Sequence, residues 1–233
     1  GVPDEKISVV HNGVDTARFV PLPRNEDLTR KFGLTGKMVI GYIGSIIEYE
    51  GLDLLLRAVD RLRSNGFTNF HVLVVGDGDG LEALQALCRD LSLMDFVTFA
   101  GRVPHATVNG YYSIMDCMVY PRRAVEVCDL VSPIKPFEAM AMAKPVIVSS
   151  VRAMTEFVED GRTGLIHQKG SAEHLAVQLE RLLTDETLRQ NIGENARRWV
   201  VENRDWENLG RAVGEIYSRL LKEAASTPLK EAV

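Results

Sequence analysis

Lys135 and Glu138 stand three residues apart in Ser132-Pro133-Ile134-Lys135-Pro136-Phe137-Glu138, ahead of the apolar turn Ala139-Met140-Ala141-Met142. Ser132 suits the N-cap of a helix, its hydroxyl accepting from an orphan amide of the first turn, and Pro133 suits the first helical position. A helix start carries unpaired N–H groups and a partial positive charge, and Lys135 adds a full one beside Ile134. That combination suits an anion, phosphate above all. Glu138 shares a helix face with Lys135. A carboxylate at the edge of packed surface can accept two hydrogen bonds from a vicinal diol such as a ribose. One helix could thus hold the phosphates and the sugar of a nucleotide; the simpler alternative is an exposed ion pair.

Three further loops could serve the same ligand. Tyr120-Pro121-Arg122-Arg123 follows a strand, where arginine can grip phosphate bidentately. Gly41-Tyr42-Ile43-Gly44-Ser45 and Gly76-Asp77-Gly78-Asp79-Gly80 also close strands, and their glycines let a ligand approach the backbone. The first run is not a GxGxxG dinucleotide fingerprint. The second resembles a calcium loop superficially but lacks the terminal glutamate and its flanking helices. Both could equally be plain structural turns.

The elements that must position these loops read clearly. Met38 to Gly44 and Phe70 to Gly76 are continuous apolar runs, the pattern of strands buried on both faces. Further strands fall at Val97-Thr98-Phe99, Cys117 to Tyr120, Pro145 to Val148 and Gly164-Leu165-Ile166. Helical patterns occupy Arg24 to Lys31, Leu52 to Leu62, Leu81 to Leu91, Thr107 to Met115, Ser132 to about Ala143, one turn at Thr155 to Val158, and about 171–183, 185–202 and 206–223. Lys6 to Val10 reads as a further strand, and the tail from Ala224 as frayed. Strands alternating with helices imply βαβ units. The expected fold is α/β, a Rossmann-like doubly wound parallel sheet of about six strands with C-terminal helices. Ligands in such sheets bind outside the strands' carboxyl ends, near a switch in strand order. The loops after Gly44, Gly76, Gly101, Tyr120 and Ser149 are therefore the places to look.

The totals agree with a soluble domain of this kind: 233 residues, 45% hydrophobic and 25% charged, with a formal net charge of −5. That balance does not favour nucleic acid as a partner. Cys88, Cys117 and Cys128 are widely spaced without a CxxC pattern, which argues against a disulfide framework or structural zinc and for a reducing, cytoplasmic compartment. No apolar run reaches the roughly 18 residues of a membrane span, and no charged-then-apolar leader opens the chain. A strand pattern so close to Gly1 suggests a fragment of something longer.

Taken in order, these motifs resemble the C-terminal, donor-binding domain of a GT-B retaining glycosyltransferase of the glycogen-synthase-like group. The resemblance is carried by Val10-His11-Asn12-Gly13-Val14-Asp15 with Phe19 and Pro21; by Gly44 with Glu50-Gly51-Leu52-Asp53-Leu54-Leu55; and by Val74-Val75-Gly76-Asp77-Gly78 and Val97-Thr98-Phe99-Ala100-Gly101. Phe137-Glu138-Ala139-Met140-Ala141 with Lys144-Pro145-Val146, Glu159-Asp160-Gly161 and Thr163-Gly164-Leu165 complete it. It covers about residues 6–220. It implies one half of a GT-B fold, divided as linker and N-terminal strand (1–23), donor-binding domain (24–205), and a helix packing toward a preceding acceptor-binding domain, with its tail (206–233). It implies a nucleotide diphosphate sugar of UDP or GDP type as donor substrate, transfer with retention, no cofactor and no essential metal. Glu138 would hold the ribose and the helix from Pro133 would face the diphosphate. The preceding domain would supply a catalytic-site histidine, so the isolated chain is expected to be inactive. The five histidines here, His11, His71, His105, His167 and His174, read as structural.

Three positions depart from the pattern. Leu130 stands where many relatives carry a glutamate near the donor sugar, Ser45 where they carry a phosphate-gripping arginine, and Glu50 where they carry a lysine. Lys135 and Arg122 are the obvious substitute cations, and with Glu138 the expected catalytic set. The expected donor contacts are Gly44, Ser45, Gly76, Asp77, Gly78, Ser132, Pro133, Ile134, Lys135 and Glu138. A degenerate, non-catalytic nucleotide-sugar module and a GT-B-like sugar-nucleotide epimerase domain remain as alternatives, and association of the full-length protein with the inner face of a membrane stays open.

Overall fold

A computed structural model describes residues 2–226. Six strands form one sheet: β1 (Met38–Ile43), β2 (Phe70–Val75), β3 (Val97–Gly101), β4 (Cys117–Tyr120), β5 (Val146–Ser149) and β6 (Leu165–His167). Their order is β3-β2-β1-β4-β5-β6 and every pairing is parallel. β1 runs in register with β2 from Met38 opposite Phe70 to Ile43 opposite Val75. Every residue of β2, β4 and β5 is buried, as their unbroken apolar sequence requires. Strand order reverses between β1 and β4, so the crevice at their carboxyl ends is the switch point of the sheet.

Ten helices surround the sheet among the described residues: α1 (Glu26–Lys31), α2 (Leu52–Ser64), α3 (Leu81–Asp90), α4 (Val108–Ser113), α5 (Glu126–Leu130), α6 (Lys135–Ala141), α7 (Arg152–Thr155), α8 (Ala172–Thr184), α9 (Glu186–Arg204) and α10 (Trp206–Ser226). The sheet grows outward from β1 in opposite directions in its two halves, so right-handed crossovers put the two sets of connecting helices on opposite faces. Side chains cap α1, α8 and α9: Asn25, Ser171 and Asp185 accept from the amides of Leu28, His174 and Leu188. α2 packs against α8 and α6 against α9.

Four expectations are corrected. Lys6 to Val10 is not a strand: a single 3-10 turn covers Asp4–Lys6, and Ile7, Val9 and Val10 are exposed, with no strand beside them among the described residues. α5 lies where no helix was expected. The helical turn placed at Thr155 to Val158 lies earlier, at Arg152–Thr155, where Asp129 accepts from the Arg152 amide. Ala224 to Ser226 continue α10; the rest of the tail expected to fray lies outside the described residues.

The segment before α1 is anchored at the opposite end of the sequence. Val14 bridges Asp205, its amide donating to Arg204 O at 2.8 Å and its carbonyl accepting from Trp206 N at 3.1 Å. Thr16 Oγ1 adds a bond to Asp205 at 2.5 Å. Asn12 also donates to Ser132 O at 3.1 Å and Arg18 to His105 O at 2.7 Å, so this segment touches the loops before α6 and after β3.

Candidate functional site

The turns that close β1 and β2 lie against each other. Gly44 N donates to Val75 O at 3.1 Å, Ile46 N to Asp77 O at 2.9 Å and Gly80 N to Ile46 O at 2.9 Å. Gly76 takes φ +143° and Gly78 φ +154°, which glycine alone adopts readily. A Cβ on Gly76 would overlap the Gly44 carbonyl oxygen, and one on Gly78 the Ile46 carbonyl oxygen. The mutual approach of two loops therefore already requires these glycines.

Beside the paired turns opens a cavity of about 470 Å³. Its floor is Ile43, Gly44 and Ser45 from β1 and Val75, Gly76 and Asp77 from β2. Its walls are Arg102, Val103 and His105 after β3, Val108 at the start of α4, and Lys135 at the start of α6. Thus Gly44, Ser45, Gly76, Asp77 and Lys135, chosen from three separate motifs, meet in one hollow at the strand ends. Gly78, Ser132, Pro133 and Ile134 lie outside its lining. A larger hollow of about 740 Å³ lies between α2 and α8, lined by none of the loops that follow the strands, and Arg61 pairs with Glu173 across it.

The helix bearing Lys135 begins two residues later than its sequence suggests. Lys135 is its first residue and Pro136 its second; Ile134, in helical conformation, precedes it with no side-chain cap. Ser132 is therefore not the N-cap and Pro133 not the first helical residue; the Ser132 carbonyl instead accepts from Asn12 Nδ2 at 3.1 Å. Pro136 has no N–H, and the amides of Phe137 and Glu138 turn back to Ile134 O at 2.9 and 3.3 Å. In this short helix the first turn has few amides to offer an anion, so the positive charge at this wall is carried by Lys135 itself.

Glu138 sits behind Lys135. The lysine Nζ lies 2.8 Å from Oε1 and 2.9 Å from Oε2, and Tyr112 donates its hydroxyl to Oε2 at 2.9 Å. His105 Nε2 stands 4.0 Å from Oε1. The Glu138 side chain is only 5% exposed, against 34% for Lys135, so the lysine screens the carboxylate from the cavity. Burial, with the Glu138 charge adding to it, pushes the Tyr112 phenol well above its ordinary range, so it stays a neutral donor.

Arg122 does not join this set. It is buried, and its guanidinium pairs bidentately with Glu50 (Nη2 to Oε1 2.7 Å, Nε to Oε2 3.2 Å) while Nη1 donates to Val131 O at 2.9 Å. The glutamate at position 50 and the arginine at 122 pair with each other, so in this arrangement Arg122 is engaged there and does not line the cavity as its place after β4 suggested. It braces the loop leading to α6. Its neighbour Arg123 pairs with Asp53 at 2.8 Å.

Sequence reasoning missed Arg102, His105 and Tyr112. The first two lie in the loop after Gly101, already flagged by its place at a strand's carboxyl end. Tyr112 gave no signal, because a tyrosine on a short apolar helix reads as core. Among the described residues, no group of three or more His, Cys, Asp or Glu is placed to hold a metal ion, and no helix is long and apolar enough to cross a membrane.

Residues 25–199 match the profile of the family described as Glycosyl transferases group 1. A GDP-mannose-dependent alpha-(1-6)-phosphatidylinositol monomannoside mannosyltransferase of Mycolicibacterium smegmatis is 27% identical over 213 residues, covering 88% of this chain and 54% of that protein. The chain thus spans about half the length of that curated relative. Among solved structures, Anabaena Alr3699/HepE in complex with UDP superimposes with a TM-score of 0.84 at 21% identity, covering 93% of this chain and 58% of that one. The C-terminal domain of a group 1 glycosyl transferase (LpcC) from Francisella tularensis gives 0.71 at 22% identity, covering 83% of this chain and all of that one.

Proposed function

The chain belongs to the glycosyl transferases group 1, and from that premise we propose that it is the donor-binding half of a retaining glycosyltransferase, which moves a sugar from a nucleoside diphosphate sugar to an acceptor. The observation that carries this reading is the cavity at the switch point of the sheet, where Gly44, Ser45, Gly76, Asp77 and Lys135 converge. A switch-point crevice is where open parallel sheets take nucleotides. The similar fold of Alr3699/HepE, solved with UDP, supports the same ligand class.

The roles follow from charge and reach. As the bond between sugar and diphosphate breaks, negative charge grows on the leaving phosphate. Lys135 and Arg102 line the cavity where that charge develops, Lys135 from beside Glu138. Cations fixed before the reaction stabilise such a transition state without reorganising. Glu138, one helical turn along, accepts from the ribose hydroxyls. Arg122 and Glu50 hold the loop before α6 in place. Residues 1–23 serve as the interdomain linker, 24–205 as the donor region and the helix from 206 as the element packing toward an acceptor-binding domain. The reaction is taken to need no metal and to run in the cytoplasm.

Calorimetric titration of the 233-residue chain with UDP and with GDP tests the reading. Binding of one of them is expected, with no sugar transfer by this chain from UDP- or GDP-sugars. No heat from either at millimolar concentration would overturn the donor site, and turnover by this chain alone would overturn its assignment as half of an active site.

A further inference from the structure

The buried hydroxyl of Tyr112 has no route to the cavity, yet it bonds the carboxylate assigned to the ribose. Resting on the donor reading above, we propose that Tyr112 is a positioning residue: it fixes the rotation of the Glu138 carboxylate and keeps it aimed once Lys135 turns to the diphosphate. Glu138 has two donors among the described residues, Lys135 and Tyr112. They differ in kind. Lys135 is a long, one-third exposed side chain in the cavity wall. Tyr112 is fully buried, with Phe19 packed edge-on against its ring at 6.1 Å and 83° between planes.

In the ligand-free arrangement Lys135 touches both carboxylate oxygens and covers them. A ribose hydroxyl can reach Glu138 only when the ammonium moves off, and a diphosphate in the cavity is the group that attracts it. The carboxylate then loses its cation in a buried place. A buried carboxylate without a donor would rotate or reorganise toward one. Tyr112 remains on Oε2, and the oxygen left for the ribose is Oε1, which faces His105 in the cavity wall. The same Phe19 ring also contacts His105, at 6.1 Å. The phenol thus decides which oxygen is presented.

Tyr112→Phe removes the O–H and keeps the ring, so the packing against Phe19 survives. Two probes separate the roles: UDP or GDP, whichever the parent chain binds, and inorganic pyrophosphate, which has no ribose. The expected result is a loss of about tenfold or more in nucleotide affinity, the lower end of the scale of one hydrogen bond to a charged group, with pyrophosphate affinity unchanged. In a Glu138→Gln background, Tyr112→Phe should add little, because the tyrosine acts only through that carboxylate. Equal losses for both probes, or full additivity with Glu138→Gln, would make Tyr112 merely structural. Unchanged nucleotide affinity in Tyr112→Phe beside a parent that binds would overturn the inference alone; a parent that binds neither nucleotide would overturn the donor reading and this inference with it.

Discussion

Two basic residues of similar sequence promise, Lys135 and Arg122, have opposite fates, and the cause is a partner 72 residues away. Arg122 meets Glu50 in a buried, bidentate pair with side chains 7% and 11% exposed. Lys135 meets Glu138 on its own helix and keeps a third of its surface in the cavity wall. Removing one partner of a buried pair leaves an uncompensated charge, which costs about 3–5 kcal/mol. Arg122→Ala should therefore lower unfolding free energy by that order in urea denaturation. Replacing both members with leucine should cost much less, because the paired charges earn little over packed apolar groups. Lys135→Ala should cost less stability than Arg122→Ala, because Lys135 is one-third exposed and Glu138 keeps the Tyr112 hydroxyl as a donor, and should lose about tenfold in nucleotide affinity, a loss that shrinks at high salt. An Arg122→Ala chain of normal stability but weakened nucleotide binding would return that arginine to the phosphate. The sequence made both cations visible. It could not show which one was taken, since nothing in the sequence puts Glu50 beside Arg122 until β1 and β4 lie side by side.

Elements were legible where burial is two-sided and opaque where it is not. β1, β2, β4 and β5 announce themselves as apolar runs because parallel strands are covered on both faces. Lys6 to Val10 has a similar composition but no neighbouring strand, and without a partner its backbone has no ladder to join. α5 escaped notice because its pattern is mixed: Cys128 is buried while Val127 and Leu130 are exposed. The start of α6 was misjudged because two prolines, Pro133 and Pro136, both suit a first turn, and only the later one is used. The glycine turns were read as ligand approaches, while their first duty is to each other. That duty makes a prediction at this scale. Gly76→Ala places a methyl group on the Gly44 carbonyl at φ +143°. It should destabilise the fold by more than about 1 kcal/mol and push the β1 and β2 turns apart, with loss of nucleotide binding. Gly161→Ala, at φ +77° with open space around it, should keep binding at the cost of backbone strain alone. Equal binding by both variants would show that the contact between the two turns does not shape the cavity.

Across the whole molecule, two buried histidines set how folding responds to acid. His71 on β2 bonds Thr98 Oγ1 through Nε2 at 2.8 Å, and its Nδ1 has no hydrogen-bond partner among the described residues. Burial, with Lys37 adding to it, lowers its pKa to about 4. His167 on β6 uses Nδ1 toward the Gln168 carbonyl at 2.9 Å and leaves Nε2 without a partner. Burial lowers its pKa to about 4 as well, with the hydrogen bond opposing and His174 assisting. Unfolded, each would titrate near 6.5. Between about 6.5 and 4 the unfolded chain therefore binds two protons that the folded chain refuses. Stability is complete above 6.5 and falls as the pH drops toward 4, by up to about 1.4 kcal/mol per pH unit for each histidine. Carboxylates held low in the native state, such as Asp205 with its bond from Thr16, lose their contribution only below this window, as the pH falls past the ordinary aspartate range. The acid limb should thus have two stages, histidine first. Urea midpoints measured from pH 7.5 to 4.5 should fall steadily below 6.5 in the parent chain. His71→Gln, whose amide can still reach Thr98, should flatten that slope by about half. An unchanged slope in His71→Gln would mean that the charge on this strand is tolerated by the fold, and that the interior beneath the β2–β3 edge is wetter than its closed packing implies.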